Sequence, residues 1–251
     1  MRNRPFFVVA FSVLAILWSI PSGAFDIQYP GEPGFFIGMP MDYVITADSG
    51  GDENIGQEGT FIFGQNRITI DGVEYYDSVF ESPSGPSHFY FGIDPVKGDL
   101  TQKGLTLGAT EIDLETAVTA VHYPLSAGDS WTEETNLTAK ELEIPGLGKF
   151  PIPLSIKGVK VETTVSSMAI TVPAGDFDTL LVESTYNGSL LGIPITLVQR
   201  TWLSESNITI RRSFELLDLP FYDIELSRLP PSSVSGHDKT VKTWASIKVG
   251  Y

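Results

Sequence analysis

Three histidines, thirty-one carboxylates and no cysteine are what this 251-residue chain offers for chemistry. Without a thiol there is no cysteine nucleophile, no thiolate metal site and no disulfide framework. Asp48-Ser49-Gly50-Gly51 has the residue types of the nucleophile loop of trypsin-like proteases. That family places its His and Asp before the Ser, whereas His88, His122 and His237 all follow it here, and no Gly-x-Ser-x-Gly elbow occurs. An Asp with two glycines makes a turn, which is explanation enough. The same loop gathers oxygen donors, Asp48, Asp52, Glu53 and Asn54, of the kind calcium takes. They lack the spacing of an EF-hand, so a solvated acidic turn is expected, with calcium at Asp48, Asp52 and Glu53 as the alternative. The histidines are too scattered for a metal signature. No catalytic residue, resident metal or cofactor is expected, and the chain reads as non-enzymatic.

Three apolar connections rich in Pro and Gly are more informative. Residues 144–153 carry Leu147, Phe150 and Ile152; residues 190–194 carry Leu190, Leu191 and Ile193; residues 216–221 carry Leu219 and Phe221. Surface connections are normally polar, so leucine-rich ones need something dry to lie against. They either close the core at an open end of a sheet or form the mouth of an apolar pocket or docking patch. These eight residues are therefore the candidate ligand-binding set.

The elements that must position them are strands. After residue 40 the dominant pattern is alternation, with strands expected at 41–47, 59–65, 67–70, 73–80, 88–93, 100–107, 110–114, 117–123, 131–143, 156–172, 177–186, 195–203, 208–217 and 221–229. Asp71-Gly72 supplies a tight hairpin turn. Residues 156–172 are too long for a flat strand and should bend, with Ser166-Ser167 the expected place, which suits a strongly curved sheet. The expected architecture is all-β: a large, curved, mainly antiparallel sheet or a partly open β-barrel over residues 41–229.

The ends bound the compartment. Arg2 and Arg4 precede an apolar run, Phe6 to Ile20, which Pro21 and Ser22-Gly23-Ala24 close. That is the layout of a secretory signal peptide over 1–24. Residues 25–40 read as an extended lead-in, 230–239 as a linker, and 240–251 as an alternating terminal edge strand. A formal net charge of −15 repels phosphate backbones and argues against nucleic acid.

Pro124-Leu125-Ser126-Ala127-Gly128-Asp129-Ser130-Trp131 and Thr171-Val172-Pro173-Ala174-Gly175-Asp176-Phe177 carry a resemblance. Together they resemble uncharacterised exported bacterial β-rich proteins with a P-A-G-x-F turn, over roughly residues 40–217. The resemblance implies a large curved antiparallel sheet, similar in places to the half-barrels of periplasmic lipoprotein carriers, and no activity. The expected protein is periplasmic or secreted, released after signal cleavage, and binds an apolar ligand such as a lipid or an envelope protein. A structural or adhesion-like module without a small ligand is the alternative. An outer-membrane barrel is the remaining one, because the tail alternates and ends in Tyr251.

Overall fold

Alternation sends every second side chain to the same face of a strand, and unbroken alternation makes strands long. A computed structural model describes residues 25–31, 36–48, 52–94, 96–107, 110–141, 143–144, 148–149, 153–190 and 192–229. The strands are β1 (Pro40–Asp48), β2 (Glu58–Ile70), β3 (Val73–Ser82), β4 (Gly85–Ile93), β5 (Leu100–Leu107), β6 (Thr110–Val121), β7 (Ser130–Lys140), β8 (Glu143–Ile144), β9 (Gly148–Lys149), β10 (Leu154–Val172), β11 (Gly175–Leu190), β12 (Ile193–Ser204), β13 (Thr209–Leu216) and β14 (Leu219–Leu226). The signal segment, the linker and the terminal strand expected from the sequence lie outside the described residues.

Twelve strands pair antiparallel in chain order, β10 following β7 around the ring while β8 and β9 pair with each other. β14 then returns to β1, from Tyr43 opposite Leu226 to Asp48 opposite Tyr222. The all-β antiparallel reading holds, and the curvature runs to full closure.

A barrel of about eight strands is filled by its own side chains, and a wider round one leaves a void. Twelve strands are filled here because opposite walls meet. Phe89 of β4 stacks on Phe214 of β13 with ring centroids 6.0 Å apart, and Tyr222 of β14 meets Phe80 of β3 edge-on at 5.8 Å. Gln199 Nε2 of β12 donates to Gln102 Oε1 of β5 at 3.0 Å. The barrel is flattened, and one continuous core fills it.

Bulges supply the bends that flattening requires. β2 shifts register between Ile62 and Asn66, where Gly64 takes φ 63° and its N–H donates to Ser78 Oγ at 3.0 Å. The segments expected at 59–65 and 67–70 are therefore one bulged strand. The same holds for 110–114 and 117–123: the Thr135 hydroxyl receives the Thr116 N–H at 3.1 Å and donates to the Thr116 carbonyl at 2.9 Å, carrying β6 through. β10 does not bend at Ser166-Ser167, whose pairing with β11 is unbroken. Its irregularity lies between Ile156 and Val159, at Gly158 (φ 63°), whose N–H donates to Asn136 Oδ1.

The outer face is charged at mid-strand. Arg200 bridges Glu183 and Glu215 at 2.5 Å each, Arg211 holds Asp223 and Glu225, and Lys160 meets Glu162. An outer-membrane barrel needs an apolar outer band. This polarity is the reverse, which corrects the membrane-barrel alternative.

One end of the barrel takes the lead-in and the β2–β3, β4–β5, β6–β7, β10–β11 and β12–β13 connections; the other takes the rest. The lead-in is seated at its end: Ile27 exchanges both backbone hydrogen bonds with Leu125, and Gly38 N–H donates to the Phe63 carbonyl. Backbones also approach closely within the sheet. A Cβ on Gly104 would lie 2.5 Å from the Ile112 carbonyl oxygen. Gly104→Ala should cost about 1–3 kcal/mol of stability, read as a lower urea midpoint at unchanged slope.

Candidate functional site

The three apolar connections join β7 to β10, β11 to β12 and β13 to β14, so all leave from the end opposite the lead-in. Leu147, Phe150, Ile152 and Leu191 lie outside the described residues. Leu190 is half-buried against the core and pairs across the β11–β12 hairpin with Ile193, which is 64% exposed. The strands run beyond the expected 177–186 and 195–203, because Asn187 and Gly188 sit opposite Thr196 and Ile195. Leu217 and Asp218 both take positive φ, 54° and 62°, as a tight hairpin turn requires, so Leu219 already belongs to β14 and is 42% exposed. Phe221 is buried in the core.

The interior cavity lies at the other end. It measures about 50 Å³, room for a few atoms rather than a whole lipid. Phe36 of the lead-in, Met41, Phe61, Phe63, Phe91 and Leu100 form an apolar wall. The wall from β11 to β13 is mixed, with Ser184, Gln199, Thr201, Thr209 and Arg212. None of the four described residues of the expected set lines it.

Arg212 is the unusual member, only 7% exposed. In β13 the inward phase is Ile210, Arg212, Phe214 and Leu216, so alternation places a guanidinium where the strand otherwise sends apolar groups. It lies over the rings of Phe61, Phe89 and Phe91, 5.2–5.6 Å from their centroids. Its Nε and Nη1 have no hydrogen-bond acceptor, and among the described residues no carboxylate pairs with it. Burial lowers its pKa from the usual arginine value, against the opposing pull of the Tyr43 and Tyr222 phenols. Tyr43 Oη donates to the Thr209 carbonyl at 2.7 Å, whereas Tyr222 Oη and Gln199 Oε1 are buried without a partner. The composition conceals this site, but the period-two phase of 208–217 reveals it: Arg211 is outward and Arg212 inward.

The other candidates have simpler roles. Asp48 accepts from Asn54 Nδ2 at 3.0 Å and from Ser84 Oγ at 3.2 Å, which fixes the acidic loop to the β3–β4 turn. Asp52 and Glu53 are exposed on a single helical turn, and among the described residues no three His, Asp or Glu side chains converge to hold a metal ion. Two aspartate–histidine pairs went unread in the sequence. His88 Nδ1 lies 2.9 Å from Asp77 and His122 Nδ1 2.8 Å from Asp99. Their partners are too far away in sequence for spacing to disclose them. His88 stacks on Tyr90 and His122 packs edge-on to Trp131, and among the described residues neither imidazole bonds to a hydroxyl. Both motif segments of the resemblance lie at the lead-in end: Pro173-Ala174 turns β10 into β11, and Trp131 Nε1 donates to the Thr119 carbonyl.

No protein family model and no curated protein matches the chain. Two solved structures are similar in part. One is a candidate exported protein with a YmcC-like fold from Bacteroides fragilis, 10% identical, covering 82% of this chain and 99% of its own, with a TM-score of 0.44. The other is a candidate lipoprotein from Parabacteroides distasonis, 11% identical, covering 78% and 98%, with a TM-score of 0.30. Scores this low do not carry a shared fold, so the barrel rests on its own strand pairing.

Burial holds the phenols of Tyr43, Tyr123, Tyr186 and Tyr222 above their ordinary pKa of 10.0. A raised pKa means the folded state keeps protons that the unfolded chain releases. The stability from these groups is complete below pH 10 and falls as pH rises beyond it. In an alkaline titration their phenolate absorbance should appear only together with the loss of near-ultraviolet circular dichroism. Four phenolates forming in a still-folded protein would contradict the burial.

Proposed function

We propose that the protein is an exported, non-enzymatic binding protein of the bacterial envelope, holding part of a small, largely apolar ligand inside the barrel beneath the lead-in. Export is supported by the three-part signal layout of residues 1–24. Binding is supported above all by the interior cavity, which has an aromatic wall on one side and polar groups on the other. That pairing is what small-molecule sites use: apolar surface for affinity and a few placed polar groups for orientation. Among the described residues no hydroxyl bonds to either aspartate–histidine pair, which favours binding over hydrolysis.

A second reading places a protein partner at the far end, where Ile193 and Leu219 are exposed. The two readings separate by mutation. Protein recovered from a bacterial periplasm should carry a small-molecule adduct in native mass spectrometry. Ala120→Leu, which fills the cavity, should reduce occupancy about tenfold or more. Ile193→Ser with Leu219→Ser should leave it unchanged. An adduct that follows Ile193 and Leu219, or protein that carries no adduct and binds no alkyl probe, would overturn the interior reading.

A further inference from the structure

Among the described residues Arg212 is the buried cation that has no carboxylate partner. Arg67, Arg200, Arg211 and Arg228 each pair with a carboxylate. The other deeply buried cation, Lys103, is surrounded: its Nζ donates to the Leu114 and Glu115 carbonyls and lies 3.2 Å from Asp71 and 3.4 Å from Asp113. Arg212 has aromatic faces and two phenols around it, with two guanidinium nitrogens lacking an acceptor. Ring faces offset only part of the cost of desolvating a cation. An unpaired buried charge is expensive to keep, and this one lines the interior cavity described above, so an anion entering that cavity would find a preformed partner.

We propose that Arg212 anchors a carboxylate, and that the molecule held in the barrel is a monocarboxylic acid with an apolar body. This rests on the interior-binding reading above and names the chemistry of its ligand. A carboxylate accepts a charge-assisted bond from Arg212 Nε–H or Nη1–H, which lie on different edges of the guanidinium, and Tyr222 Oη stands beside Arg212 with a hydrogen to donate. A phosphate dianion fits poorly, because no second unpaired cation faces the cavity and most of its lining is apolar. The rings of Phe61, Phe63 and Phe91 receive the hydrocarbon nearest the head. The acid is either short enough for the existing space or the head of a longer one whose tail passes the lead-in. Both present the same group to Arg212.

Purified protein is titrated with butanoate and decanoate and with the matching alcohols, by calorimetry and by thermal shift. At least one acid should bind about tenfold or more tightly than its alcohol, the effect of one charge-assisted bond. Binding by butanoate identifies a short acid, and binding by decanoate alone identifies a long-chain one. Arg212→Met should abolish the preference while melting at or above the wild-type temperature without ligand, since it removes an uncompensated buried charge. Arg212→Lys should retain part of the preference. Acid and alcohol binding equally to wild type would overturn the carboxylate assignment and leave interior binding intact, as would an unchanged preference in Arg212→Met. Failure of all four compounds to bind, with no adduct in native mass spectrometry, would remove both.

Discussion

Contact between opposite walls is the constraint on which this barrel depends. A ring of twelve strands is wider than side chains can span if it is round, so stability requires that the ring collapse until aromatic groups touch. Phe89 on Phe214, Phe80 against Tyr222 and the Gln102–Gln199 bond are the points of contact. The bulges in β1, β2, β10, β13 and β14 follow from that requirement, because a uniformly curved ladder could not flatten. The cavity is what remains where the walls do not meet.

Electrostatics divide along the same line. Outside, cations and carboxylates alternate across neighbouring strands, as in Glu183–Arg200–Glu215, in high dielectric where each pair contributes little. Inside, the one charge at the cavity has no opposite charge at all. A surface pair would be a poor guide to function in this molecule. An interior cation held among rings is informative because burying it unpaired costs stability.

Much of the architecture was legible in the sequence. Alternation disclosed nearly every strand, and Asp71-Gly72 marked its turn correctly. Apparent breaks were harder, because Gln65-Asn66 and Glu115-Thr116 interrupt the pattern through a bulge and a hydroxyl substitution, not through a turn. The Leu-rich segment 216–221 reads as a connection, yet Leu217-Asp218 alone make its turn without glycine. Local pattern also cannot tell an open curved sheet from a closed one: that depends on β1 meeting β14 across the whole domain. The period-two phase of β13 also carries a charge in its apolar face, Arg212, which composition alone does not disclose.

Closure through the first and last strands also determines how the barrel must assemble. The sealing register joins residues 43–48 to 222–226, so it forms only after nearly the entire domain has been synthesised. Contacts so distant in sequence make folding slow. Until that seam zips, β1 and the growing sheet each offer a bare edge to neighbouring chains. The excess of negative charge then has a kinetic use: like-charged intermediates repel one another through the interval in which they are most prone to aggregate.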